Sequence, residues 1–439
     1  MPIMIENNYK VRKNDKLVFQ FVFLFAILMP PFHAKFGSSG AIIVNGILLV
    51  ALSLILSVSL SNKSYVYSGV EKRNLLIYFT PLLILQFLIP ISMTTGLVFG
   101  GVNLIQRDFY ELYKPLLCIL VLTFSITFFS KNESIVALEK LLLLIFFLVS
   151  LIGINQLFSF SDIVSMSYTK AHNISSRRIS APFVNPYDYA FFITFFVYYF
   201  FSKVIFVSFR YIPLFLASIV MLILPQSRSV AVGFLIGFFV IMPIVLFYLG
   251  FKGHTLRISK KLMIFFGLFL FVLLFFIFSI PFLLDNFSYL TGQFVRLIDR
   301  GEVGSSAGIR LQQFLFAIDK GVNQPLILIF GNGPAKDEME YVESIYNYLL
   351  YRYGLVGTFS YFFLIVIASY QSLRVCKKIG ENHKYYSLFL CVFLWLISIP
   401  LLSVGNNFTE QLRLSYFYYM LLGLVAASYY RFVLKGNRS

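Results

Sequence analysis

Residues 342–357 read VESIYNYLLYRYGLVG. They open an apolar run that continues to residue 371, with Glu343 at its front edge and Arg352 well inside. A run of this length crosses the hydrocarbon core of a bilayer, which takes about 20 residues as helix. Charges at that depth are costly, and they usually face a cavity or a partner rather than lipid. The stretch is therefore expected to be a membrane helix that begins at a polar site.

The rest of the chain supports a membrane setting. Of 439 residues, 59% are hydrophobic and 13% charged, and Phe alone accounts for 53. A soluble domain is nearer half apolar and a quarter charged. The formal charge of +17 does not imply nucleic acid, because the basic residues sit in short clusters between apolar runs. Cys118, Cys376 and Cys391 form no CxxC pair and no even framework, so they are expected as small apolar residues. The first apolar run, from Leu17, lacks a small-residue cleavage site and is expected to stay as an anchor.

Read on span length, the chain gives an all-α integral membrane protein with about 12 transmembrane helices. They fall roughly at 16–34, 40–60, 74–92, 112–130, 135–158, 187–206, 210–225, 229–250, 262–282, 344–371, 384–403 and 411–432. The pair from 187 to 225 has a short connection. Residues 1–282 hold helices one to nine, 283–343 form a long outer loop, and 344–439 hold the last three helices and a tail. Lys and Arg concentrate in alternate connections, among them Lys10–Lys16, Lys252–Lys261 and Arg374–Lys384, which puts both termini inside. The long loop includes AGIRLQQFLFAIDKGV, an amphipathic helix pattern with Leu311, Leu315 and Ile318 on one face. Such a helix is expected to lie on the membrane or to pack over a cavity.

Several chemistries are excluded. GNGPAK at 331–336 has glycines and a lysine but not the phosphate-loop spacing. His33, His172, His254 and His383 are scattered and make no metal pattern, so no metal and no cofactor are expected. No D-x-D motif occurs, and the acidic residues cluster on the outer side, where nucleotide sugars are not supplied.

The informative residues are charges at the outer edge. LPQSRSVAVGFLIGFF (224–239) sets Arg228 between two serines where a span begins. It faces a cavity or snorkels to headgroups. SSRRISAPFVNPYDYAFFI (175–193) pairs Arg177 with Arg178, either a bidentate phosphate site or solvated loop charge. In the same stretch Asn185, Pro186 and Asp188 suit a helix start. QRDFYELYKPLL (106–117) places Arg107, Asp108, Glu111 and Lys114 at helical spacing, which predicts Arg107–Glu111 and Glu111–Lys114 pairs. Glu343 is a candidate base or a partner of the helix dipole, with Asn347 one turn on. Arg352 is nine residues from Glu343 and about half a turn out of phase, so the two are not expected to pair. Arginines around an outward cavity suit a pyrophosphate clamp. A nearby carboxylate can take a proton from a sugar hydroxyl that attacks the anomeric carbon of a lipid-pyrophosphate sugar, with no metal required.

On RDFYELYKPLL, RISAPFVNPYDYA, LPQSRSVAVG, AGIRLQQFLFAIDKGVNQPLILIFGNGP and VESIYNYLLYRYGLVG, in that order, the chain resembles the Wzy-type O-antigen polymerases of the O-antigen polymerase/ligase superfamily. The resemblance covers the layout of most of the chain. It implies a glycosyltransferase of lipopolysaccharide biosynthesis in the bacterial inner membrane, with both termini cytoplasmic and the long loop periplasmic. Its donor and acceptor are undecaprenyl-pyrophosphate-linked oligosaccharides, and a chain-length regulator is an expected partner. Arg228 and Arg310 match ligase arginines that engage the lipid pyrophosphate. Where the ligases carry a histidine as candidate base, this chain has Glu343. That departure argues against a ligase. A flippase or other transporter is the competing reading, although transporter sites lie near the midplane.

Overall fold

The computed structural model describes residues 13–30, 46–47, 50–51, 54, 69–131, 133–168, 178–250, 260–286 and 305–435. Among them every regular element is a helix. In chain order these are α1 (Lys13–Leu28), α2 (Gly69–Phe99), α3 (Lys114–Phe129, entered through a 3₁₀ turn at Phe109–Tyr113), α4 (Ser134–Phe158) and the short α5 (Asp162–Tyr168). There follow α6 (Pro186–Phe206), α7 (Ile212–Ile223), α8 (Arg228–Leu249), α9 (Lys260–Asn286), α10 (Ser305–Asn323) and α11 (Pro325–Phe330). The last three are α12 (Ile345–Ile379), α13 (Tyr386–Leu402) and α14 (Leu412–Tyr429).

Eight helices among the described residues are long and apolar enough to cross a membrane, and the α7 and α13 segments are apolar but shorter. The chain is thus an all-α protein of membrane character. The expected span at 40–60 lies almost wholly outside the described residues. The helix flanks that the protein leaves open carry Phe87 (66% exposed), Phe278 (78%) and Phe359 (71%), a surface suited to lipid rather than to water. α6 is the opposite case. Its apolar window is 94% buried, so protein surrounds it on all sides. Phe195 meets Trp395 of α13 and Phe417 of α14 edge-on, with centroids 5.8 and 5.0 Å apart. Gly233 and Gly237 bring α8 against α13, since a Cβ at either would strike Leu401, Leu402 or Ser398.

Of the expected 187–225 pair of spans, α6 is long enough to cross a membrane, whereas α7 is a shorter apolar helix after a tight turn at Val207–Ser208. Contacts gather several helix ends on one side of the bundle: the Tyr187 hydroxyl donates to Leu402 O and Ile345 N–H to Ser403 O, Ile179 N–H donates to Leu224 O, and Gly405 lies against Ser229, which joins the starts of α6, α8 and α12 to the ends of α7 and α13. The opposite end carries Lys377, Lys378, Lys384, Arg431 and Lys435.

Candidate functional site

α12 is broken. Gly354 has φ 61° and ψ −162°, so the helix stops and restarts nine residues after its first residue. A break frees carbonyls that must be satisfied elsewhere. The GNG of GNGPAK supplies the donors. Asn332 N–H donates to Tyr351 O (2.9 Å) and Gly333 N–H to Arg352 O (2.9 Å). Gly331 and Gly333 both have positive φ, and a Cβ on Gly331 would overlap the Arg352 carbonyl. Thr95 Oγ1 of α2 donates to Gly331 O at 2.6 Å, which pins the wedge from the other side. The glycines therefore serve close backbone approach.

The wedge fixes the start of α12, where Glu343 precedes the N-cap Ser344. Ser344 itself holds φ 75° without a side-chain cap bond. Glu343 lies outside the first helical turn, and its carboxylate pairs with Arg310 of α10 instead, Oε2 to Nε at 2.9 Å. Both side chains stay partly open, at 36% and 28%. Three further bonds hold α10 to this segment. Glu343 N–H donates to Gln313 Oε1 (2.9 Å), Gln313 Nε2 donates to Tyr341 O (2.9 Å), and Asn347 Nδ2 donates to Arg310 O (2.8 Å). Asn347 thus supports Arg310 through the backbone. The face of α10 that binds is Arg310, Gln313 and Ala317. The expected apolar face turns outward, with Leu311 59% and Leu315 55% exposed.

Arg228 opens α8 behind the N-cap Ser227, beside Ser229. A Cβ on Gly405 would overlap the Ser229 side chain and sit 3.7 Å from Arg310 Nη2. The α8 start and the Arg310–Glu343 pair therefore share one locality. Arg178 Nε donates to Pro225 O at 3.0 Å and so anchors the loop that leads into Arg228. Arg177 lies outside the described residues. Asp188 is wholly buried in the first turn of α6, so it presents no carboxylate surface at this end. Asn185 occupies the N-cap and Pro186 the first helical position as expected, but the Asn185 side chain makes no cap bond.

Arg352 belongs to a second group. Its side chain is 0% exposed. Nη1 lies 3.2 Å from Glu410 Oε1, Nη2 donates to Glu340 O at 3.2 Å, and the guanidinium sits 4.6 Å from the Tyr348 ring centroid. It does not meet Glu343. Nearby, Glu111 is 1% exposed and pairs with Lys114 (2.7 Å) and with Lys336 of GNGPAK (2.6 Å). The expected Glu111–Lys114 pair is present. The expected Arg107–Glu111 pair is not, because Arg107 reaches Glu340 at 2.6 Å, and the residues leave the α-helical register in the 3₁₀ turn. Burial holds the Glu410 carboxyl above its ordinary range despite the pull of Arg352 and Lys114. Burial likewise holds the Lys336 ammonium below its ordinary range, against the pull of Glu111.

Sequence reasoning missed Glu410, Lys336 and Arg413, whose Nη1 donates to Pro182 O at 2.8 Å. The one available signal was a lone carboxylate in the short NNFTEQL connection (406–412) between the last two spans. Among the described residues no group of three or more His, Cys, Asp or Glu is placed to hold a metal ion.

Beside the second group, between α2, α3, α12 and α14, lies a cavity that is partly open to its surroundings. Glu111 and Lys114 line it, as do Tyr361, Thr409, Ser415 and Tyr419, together with Leu82 and Leu85 of α2. No family model matches the chain, and no curated protein shows significant similarity to it.

Proposed function

We propose that the protein is a polysaccharide (O-antigen) polymerase, joining undecaprenyl-pyrophosphate-linked oligosaccharide repeat units on the outer face of a bacterial inner membrane. The observation that carries this reading is the Arg310–Glu343 pair, partly open and placed beside the start of α8 that bears Arg228. The basic residues at the opposite end suit a cytoplasmic side, with both termini there. The outer end then holds the candidate site.

In this reading the acceptor's sugar hydroxyl gives its proton to the Glu343 carboxylate as its oxygen attacks the donor's anomeric carbon. The bond from that carbon to the pyrophosphate oxygen breaks. The electron pair leaves with the lipid pyrophosphate, whose charge Arg310 and Arg228 offset. At rest Arg310 occupies Glu343. An incoming pyrophosphate competes for the guanidinium and releases the carboxylate, so the base is exposed only when a donor is present. Arg178 and Asn347 position these groups rather than touch substrate.

Deletion of the gene, followed by gel analysis of surface polysaccharide, tests the reading. A polymerase defect leaves one capped repeat unit and no ladder. Loss of both from the lipid core would point to the ligase, and cytoplasm-facing lipid-linked repeats to a flippase. A normal ladder would sink the proposal.

A further inference from the structure

We infer that the cavity beside Glu111 is a saccharide subsite, which takes neutral, hydroxyl-rich sugar units of the acceptor chain. The inference rests on the polymerase reading but uses different residues. The cations near the cavity are already matched: Lys114 and Lys336 lie on Glu111, and Arg352 on Glu410. A phosphate would have to break those pairs. A sugar hydroxyl need not, because it accepts from a cation and donates to a carboxylate at once.

The walls fit the same ligand. Tyr361 is 3% exposed, lines the cavity, and its hydroxyl has no hydrogen-bond partner. Burying a hydroxyl without a partner is unfavourable, and a bound hydroxyl supplies one. Tyr419 has only the weakly accepting thiol of Cys118, and Tyr348 is paired with Tyr353. The leucine wall and the tyrosine rings offer apolar contact to the C–H faces of sugar rings. The cavity shares α12 with the Arg310–Glu343 pair, since Asn347, which bonds Arg310, precedes Tyr348 of the cavity lining.

The test uses the full-length protein in nanodiscs and, as probe, the oligosaccharide released by mild acid from the lipid fraction of cells that make it. Saturation-transfer NMR titrations should show binding to the native protein. Tyr361→Phe, a near-isosteric change, should weaken it about three- to tenfold, the effect of one hydrogen bond. Ser415→Leu, which fills the cavity, should abolish it, and Asp319→Asn on the exposed surface of α10 should leave it unchanged. Unaltered affinity in both Tyr361→Phe and Ser415→Leu overturns the subsite. So does undecaprenyl monophosphate that displaces the sugar and itself loses binding in Ser415→Leu, since an isoprenoid tail then fills the space. The polymerase reading fails separately, through an intact ladder in cells carrying Arg310→Ala.

Discussion

Arg352 and Glu410 face each other at 3.2 Å across the gap between α12 and α14, with the guanidinium completely buried and the carboxylate 31% open. The two ends of this pair are unequal. Arg352 also holds two backbone carbonyls and the Tyr348 ring, whereas burial already pushes Glu410 toward its neutral form. Arg352→Ala should therefore destabilise the protein by about 3–5 kcal/mol, as loss of one partner of a buried pair does. Glu410→Gln should cost clearly less. Thermal unfolding in detergent distinguishes the two, and equal losses would contradict the asymmetry.

The same asymmetry sets a pH dependence. Because the folded pKa of Glu410 lies above the unfolded value of about 4.3, its contribution to stability is complete below that value and is lost as pH rises through the folded pKa. Unfolding midpoints taken from pH 4 upward should show this decline in the native protein. They should show a shallower one in Glu410→Gln, and parallel curves would argue against a raised pKa.

Arg310 and Glu343 call for a different expectation. Their pair is partly solvated, so Arg310→Ala and Glu343→Gln should each shift stability by no more than about 1 kcal/mol. Polymerisation, scored as a gel ladder at equal protein level, should nevertheless disappear in both. A full-length ladder from Glu343→Gln would remove its role as base.

Gly354 and Gly380 make a matched comparison. Both have positive φ, but a Cβ on Gly354 would overlap the Ile329 carbonyl, whereas Gly380 is surrounded by open space. Gly380→Ala should cost about 1 kcal/mol, the conformational term alone. Gly354→Ala should cost more than about 3 kcal/mol, because the GNG wedge must also move. Expression level and melting temperature report the difference.

The outward face of α10 can be located by spin labels. A label at Leu315 should be more accessible to oxygen than to a water-soluble nickel complex. Equal profiles would place α10 away from the bilayer.

The helices of the bundle were legible because apolar runs of span length leave few alternatives. The Ser305–Asn323 helix was legible through its periodicity, although which face would bind was not. Leu311 and Leu315 look like core positions under an aqueous convention and are turned outward. Glu343 could be singled out as a charge at the front edge of a span, and Arg310 only through the family resemblance. Their contact could not, since it spans 33 residues and depends on how α10 folds back. The contact of GNGPAK with the broken helix could not be read, because it required knowing that Gly354 breaks α12. Glu410 stayed hidden because its importance comes from Arg352 of another helix.

The break at Gly354 also divides the labour along one helix. Residues beyond it must match the thickness and tilt that the bilayer imposes, while Ile345–Tyr353 answer only to the groups they hold. The GNG wedge and Thr95 tie that first segment to α2, so the spacing between Asn347 and Arg352, and with it the registration of the two charged groups, is set by protein contacts.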